Sequence, residues 1–140
     1  MLTQAQNTIL AADITADPAF NGLPHNNDGS LVIAAAYNTV AAPSYIVWKT
    51  VVMKDEITES SGFAWTEIDN LSVGKARIWS ELFDNTIQRF NPSKVNVRAG
   101  IIECWSGTAG KVAVQTAVLA ICKRSATRAE KLFATGLGTD

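Results

Sequence analysis

Apolar residues recur at helical spacing along most of this chain, and the stretches that lack the spacing are rich in proline, glycine and asparagine. Leu2, Ala5, Ile9, Leu10 and Ile14 predict an amphipathic helix over residues 2–16. Asp17-Pro18 ends it, because a residue preceding proline is pushed out of the helical region. A connector dense in breakers follows, with Pro18, Gly22, Pro24 and Asn26-Asn27-Asp28-Gly29. Asp28 or Ser30 is then positioned to cap a short helix through Leu31, Val32, Ile33 and Tyr37, which is apolar nearly all round and so expected to be buried. Ala41-Ala42-Pro43 stops it.

From Tyr45 to Val52 the chain is rich in β-branched and aromatic residues, which favours a strand. Alternation is weak and no partner strand is evident, so helix and strand weigh about equally there. Lys54 to Glu59 predicts a short helix ending at Ser60-Ser61-Gly62, and residues 63–71 predict no definite element. Beyond Ser72, the charged Lys75, Arg77, Glu81 and Asp84 interleave with Ile78, Trp79, Leu82 and Phe83 as in an amphipathic helix.

The last third organises the rest. Asn91-Pro92 suits the start of a helix, Asn as a cap and Pro in the first turn. Val97, Ile101, Cys104 and Trp105 carry its apolar period as far as Ser106-Gly107. A second apolar run, Val112, Val114, Ala117, Val118 and Ile121, ends in Lys123, Arg124, Arg128 and Lys131. Thr127 and Glu130 have capping-box spacing, which predicts a fresh helical turn. The expected fold is therefore mainly α: a single-domain helical bundle over residues 1–126 with an extended C-terminal arm over 127–140, and one short β element around residues 45–52 left open against helix.

With 140 residues, 47% of them apolar and 18% charged, the chain has room for one core of its own. A formal net charge of -1 argues against a bulk polyelectrolyte partner. The charge is uneven, however: Lys49 is the only basic residue in the first 50, whereas from Lys111 onward five basic residues face only Glu130 and Asp140. Cys104 and Cys122 each sit in an apolar run and read as reduced core thiols rather than a disulfide or metal pair. No stretch has the pattern of a secretory signal or of a membrane span, which places the protein in the cytoplasm or in something assembled there.

Catalytic chemistry finds little to work with. His25 is the only histidine, and no nucleophile or carboxylate is nominated beside it, so neither a zinc site nor an enzyme is expected. Asp55 and Glu59, four apart, read as a solvated helical face, and Gly107-Thr108-Ala109-Gly110-Lys111 lacks the spacing of a phosphate-binding loop. No cofactor is expected. Of the four tryptophans, Trp79 and Trp105 read as core, while Trp65, in the irregular region, is the candidate subunit contact. The cations Lys123, Arg124, Arg128 and Lys131 complement a helix end, or meet an acidic protein surface or a nucleic-acid backbone.

Taken together, Leu2-Thr3-Gln4-Ala5-Gln6, Ala16-Asp17-Pro18-Ala19, Asn27-Asp28-Gly29, Trp48-Lys49-Thr50, Asn91-Pro92-Ser93, Ser106-Gly107 and the closing Ala126-Thr127-Arg128-Ala129-Glu130-Lys131-Leu132-Phe133-Ala134-Thr135-Gly136 resemble a group of small tailed-phage and prophage proteins encoded among the virion structural genes. Size, helical content and an extended C-terminus are similar to those of head-to-tail adaptors, small helical proteins that form a ring beneath the portal. The resemblance implies a non-enzymatic structural protein of the virion neck, assembled in the host cytoplasm. Its implied partners are further copies of itself, the portal, and tail or head-closure proteins, with non-specific contact to packaged DNA and none to a membrane. It further implies that the arm docks through Leu132, Phe133 and Leu137 while Lys123, Arg124, Arg128 and Lys131 face acidic portal residues or DNA. The alternatives are another head or tail completion protein, and a small DNA-binding accessory factor.

Overall fold

A computed structural model describes residues 2–83 and 86–134. In chain order it contains α1 (Gln4–Ala16), a 3₁₀ turn (Pro18–Phe20), α2 (Asn27–Tyr37), β1 (Ile46–Trp48), β2 (Val52–Met53), α3 (Lys54–Thr58), α4 (Thr66–Asp69), α5 (Val73–Glu81), β3 (Arg89–Phe90), α6 (Val95–Cys104), α7 (Ala109–Ile121), β4 (Lys123–Ser125) and α8 (Arg128–Leu132). The fold is mainly α, as its periodicity predicts. Contacts divide the chain into two compact units: the stretch up to Val47 together with the stretch from Ser125 onward, and the intervening Trp48–Arg124.

In the first unit, α1 is opened by a capping box. Thr3 Oγ1 accepts from the Gln6 N–H at 3.2 Å, and Gln6 Oε1 accepts from the Thr3 N–H at 2.9 Å. The cap of α2 is Asn26, whose Oδ1 accepts from the N–H groups of Asp28 and Gly29, rather than Asp28 or Ser30. Gly29 explains the earlier start: a Cβ there would collide with the Pro24 carbonyl, so the first turn closes against the connector at a residue only glycine can fill. The expected burial of α2 is corrected too. Only Gly29 and Tyr37 are buried on it, and Leu31 and Val32 are 68% and 50% exposed. The partners in this unit are too few to cover a helix all round, since α1 itself buries no residue.

The segment expected as an arm starts inside this unit. Thr127 forms an antiparallel bridge with Val40, and Ala41 N–H and Arg128 N–H donate to Ala126 O and Thr39 O, each at 2.9 Å. The Thr127/Glu130 capping box then opens α8 as its spacing predicts, and α8 packs on α2. Residues 135–140, Leu137 among them, lie outside the described residues.

At residues 45–52 the open choice goes to strand, at 46–48 and from 52, with 49–51 in no regular element. β2 pairs antiparallel with β3, Val52 opposite Phe90 and Met53 opposite Arg89, and β1 pairs with β4. Both partner strands are two or three residues long and carry arginine or lysine, so no alternation marks them in the sequence. Lys123 and Arg124 accordingly lie on a strand, not on a cationic helix end. Asn91-Pro92 likewise does not begin a helix. Asn91 Oδ1 accepts from the Ser93 N–H at 3.0 Å and the Ser93 hydroxyl at 2.6 Å, which holds 91–93 in a side-chain-closed turn, and α6 starts at Val95.

Around α5, α6 and α7 the core of the second unit is aromatic. Trp79 meets Phe83 and Trp105 edge-on at 4.9 and 5.2 Å between centroids, and Phe63 meets Trp105 edge-on at 5.7 Å. Such pairs contribute about 0.5–1.5 kcal/mol each beyond the area they bury. Cys104 and Cys122 are free and buried in the same core, as their apolar surroundings predict.

Candidate functional site

The densest polar constellation lies in the first unit, around Arg128. Its guanidinium donates to Asp13 Oδ2 at 2.8 Å, and its second nitrogen sits 2.7 Å from Asp17 Oδ2. The same group lies over the Tyr37 and Phe20 rings, 4.6 and 5.3 Å from their centroids. Asp13 also accepts from the Tyr37 hydroxyl. Each helix has a reason to deliver its part. Asp13 lies in the last turn of α1, and Asp17 follows as the cap of the 3₁₀ turn, accepting from the Ala19 N–H at 2.9 Å. Tyr37 ends α2 and Arg128 begins α8.

The electrostatics follow from these contacts. Asp13 is held below the usual carboxylate range, first by the Tyr37 hydroxyl and then by Arg128. The Ala19 N–H does the same for Asp17, with Arg128 second. Burial, with the Asp13 bond next, pushes the Tyr37 phenol up to about 12. Bonds to Asp13 and then Asp17 raise Arg128 further. All four groups thus keep their ordinary charge states at neutral pH, which is the behaviour of a structural clamp and not of groups poised to exchange protons.

Two concavities flank the clamp. One, of about 620 Å³, is lined by Asp13, Asp17, Thr39, Val40, Arg128, Lys131 and Leu132. The other, of about 390 Å³, runs among α1, α2 and α8, where Leu10, Ile14, Ile33, Ala34, Tyr37 and Phe133 line it together with Leu2, Ala129 and Ser30. The second is the more distinctive, because a wall that apolar and that open to solvent is what an apolar side chain fills.

The residues nominated by sequence are distributed as follows. Arg128 is bound into the clamp. Lys131 donates to the Pro43 carbonyl at 2.9 Å. Leu132 lines the larger concavity and Phe133 the apolar groove. In the second unit, Lys123 lies over the Trp48 ring at 4.6 Å, Arg98 lies at the same distance from that ring, and Arg124 is exposed on β4. Trp65 is 60% exposed, at the N-terminal end of α4, with its ring edge-on to Phe63 at 5.3 Å. Asp13, Asp17 and Tyr37 escaped the sequence reading; the one available signal was a pair of carboxylates four apart at the end of an otherwise uncharged helix.

Among the described residues, no helix is long and apolar enough to cross a membrane. Comparison with protein-family models, with curated proteins and with solved structures finds no match to this chain.

Proposed function

We propose that this chain is a structural component of a tailed-phage virion, a head-to-tail adaptor whose copies form a ring between portal and tail. The observation that carries the reading is apolar surface left in water on the first unit. Leu2 and Ile9 are 40% and 45% exposed on or beside α1, and α2 adds Leu31 and Val32. These two helices carry only Asp13 and Asp28 as charges, so the polar side chains between the apolar ones are otherwise uncharged. Large apolar side chains left in water beside so few charges suit a protein that works in an assembly. Ring subunits need two different faces, and the exposed Trp65 of the second unit supplies an apolar anchor of a second kind.

The distribution of the cations favours a protein partner over DNA. Lys123 is engaged by an aromatic ring and Arg128 by two carboxylates, which leaves little of the cluster for phosphates.

The test is the mass of the purified protein in solution, alone and then mixed with the portal protein of the same phage. A ring or a portal complex is the expected result. A monomer that ignores the portal at micromolar concentration rules the adaptor reading out.

A further inference from the structure

We infer that copies join head to tail through one knob and one groove: Trp65 of one copy seats in the apolar groove among α1, α2 and α8 of the next. This rests on the reading that the protein assembles with itself, and it names the contact.

The groove selects its occupant by chemistry. Among the described residues its lining offers no carboxylate and no cation, only apolar side chains, Tyr37 and Ser30. A charged arm or a phosphate would lose its hydration there without a counter-charge. At about 390 Å³ it is near the small end of the ~300–1,000 Å³ pockets that hold a compact organic group, which suits one side chain rather than a whole helix. Ser30 donates its hydroxyl to the Asn26 carbonyl at 3.0 Å and keeps lone pairs to accept a further bond. An indole brings one N–H, which a largely apolar pocket with a hydroxyl lone pair to spare can satisfy.

Trp65 is the matching knob. Among the described residues it is the one large aromatic side chain counted as exposed. It is already ordered by its edge-on contact with Phe63, and its carbonyl accepts from the Ile68 N–H at 3.1 Å. The Phe63 contact lowers the rotamer freedom to be lost on docking. An aromatic side chain buries roughly 150–250 Å², well short of the ~800 Å² per partner of a stable interface. The exposed Leu2, Ile9, Leu31 and Val32 of the groove-bearing unit supply further apolar area to be covered. A knob on one unit and a socket on the other are two different patches, which is what a heterologous contact that passes from copy to copy requires.

The experiment uses the full chain and two exposed substitutions, Trp65→Ala on the knob and Ala34→Glu in the groove, each checked for retained helix content by circular dichroism. Light scattering coupled to size exclusion reads the mass. Wild type is expected to assemble, and each variant alone to associate at least ~30-fold more weakly. An equimolar mixture of the two is expected to give a dimer, because one intact Trp65 meets one intact groove and neither chain can extend. Assembly of either folded variant like wild type overturns the contact while leaving the adaptor reading standing, and so does a mixture that stays monomeric. Loss of assembly on removing residues 135–140, with Trp65→Ala still assembling, assigns the groove to the chain's own C-terminus and overturns it equally. A wild-type chain that assembles neither alone nor with the portal removes both readings together.

Discussion

Arg128 shows how one side chain decides what a segment does. Without it, α8 is a five-residue helix, too short to hold itself together in water, tied to the unit by backbone contacts and the Lys131–Pro43 bond. With it, two carboxylates and two rings fix the helix to α1 and α2. Arg128→Met keeps much of the side-chain length and removes the charge. It is expected to destabilise the first unit by about 1–2 kcal/mol, the range of a partly screened ion pair together with ring stacking. Urea unfolding followed through tyrosine absorbance measures it, because that unit contains Tyr37 and Tyr45 and no tryptophan. The pH dependence has a definite sign. Asp13 is lowered in the folded state, so its contribution is present above the ordinary carboxylate value of about 3.9 and is lost as pH falls through the lower folded value. The gap between wild type and Arg128→Met should therefore narrow below about pH 4 and stay constant between pH 5 and 8. None of this is written in the local sequence, because Asp13 and Arg128 are 115 positions apart and only folding brings them together.

At the level of elements, signals confined to a few residues were legible and signals that depend on a distant partner were not. The Thr127/Glu130 capping box and the stop at Ser60-Ser61-Gly62 both follow from chemistry within four residues, and each occurs where the sequence places it. β3 and β4 could not be read, since Arg89-Phe90 and Lys123-Arg124-Ser125 become strands only because β2 and β1 lie beside them. The case of α2 is the most informative. Its all-round apolarity predicts burial, yet the unit it belongs to has too little mass to surround it. The outward-facing Leu31 and Val32 are therefore unused by the fold. Replacing both with serine should change unfolding free energy by less than about 1 kcal/mol, mostly through helix propensity, whereas two buried aliphatic residues would cost several times that. A large loss of stability in the monomeric protein would mean that these side chains belong to the core after all.

Across the whole molecule the two units differ in what holds them. The first is clamped by polar contacts and leaves apolar helix surface open, while the second buries Trp48, Trp79, Trp105 and both cysteines in a continuous core. That core was the most legible part of the sequence, because Trp79, Trp105, Cys104 and Cys122 all fall on helical periods or at their ends. The candidate contact surface was legible only as a single suspicion, Trp65, because a groove is a property of three helices and no one segment encodes it. The difference between the units has a chemical readout. Burial pushes the Cys104 thiol up to about 11 and the Cys122 thiol up to about 12, and neither sulfur is reachable by solvent in the folded state. A thiolate is the reactive form, so at pH 8 both thiols are protected twice, by access and by protonation. Ellman's reagent should label the native protein only through opening of the second unit. The rate should therefore be far below that in 6 M guanidinium, where both sulfurs react at once. Arg128→Met, which acts in the other unit, gives a sharper outcome. If the units open independently, that variant melts the tyrosine signal early and leaves thiol labelling unchanged; if they open as one, labelling accelerates by the ~5–30-fold that 1–2 kcal/mol corresponds to.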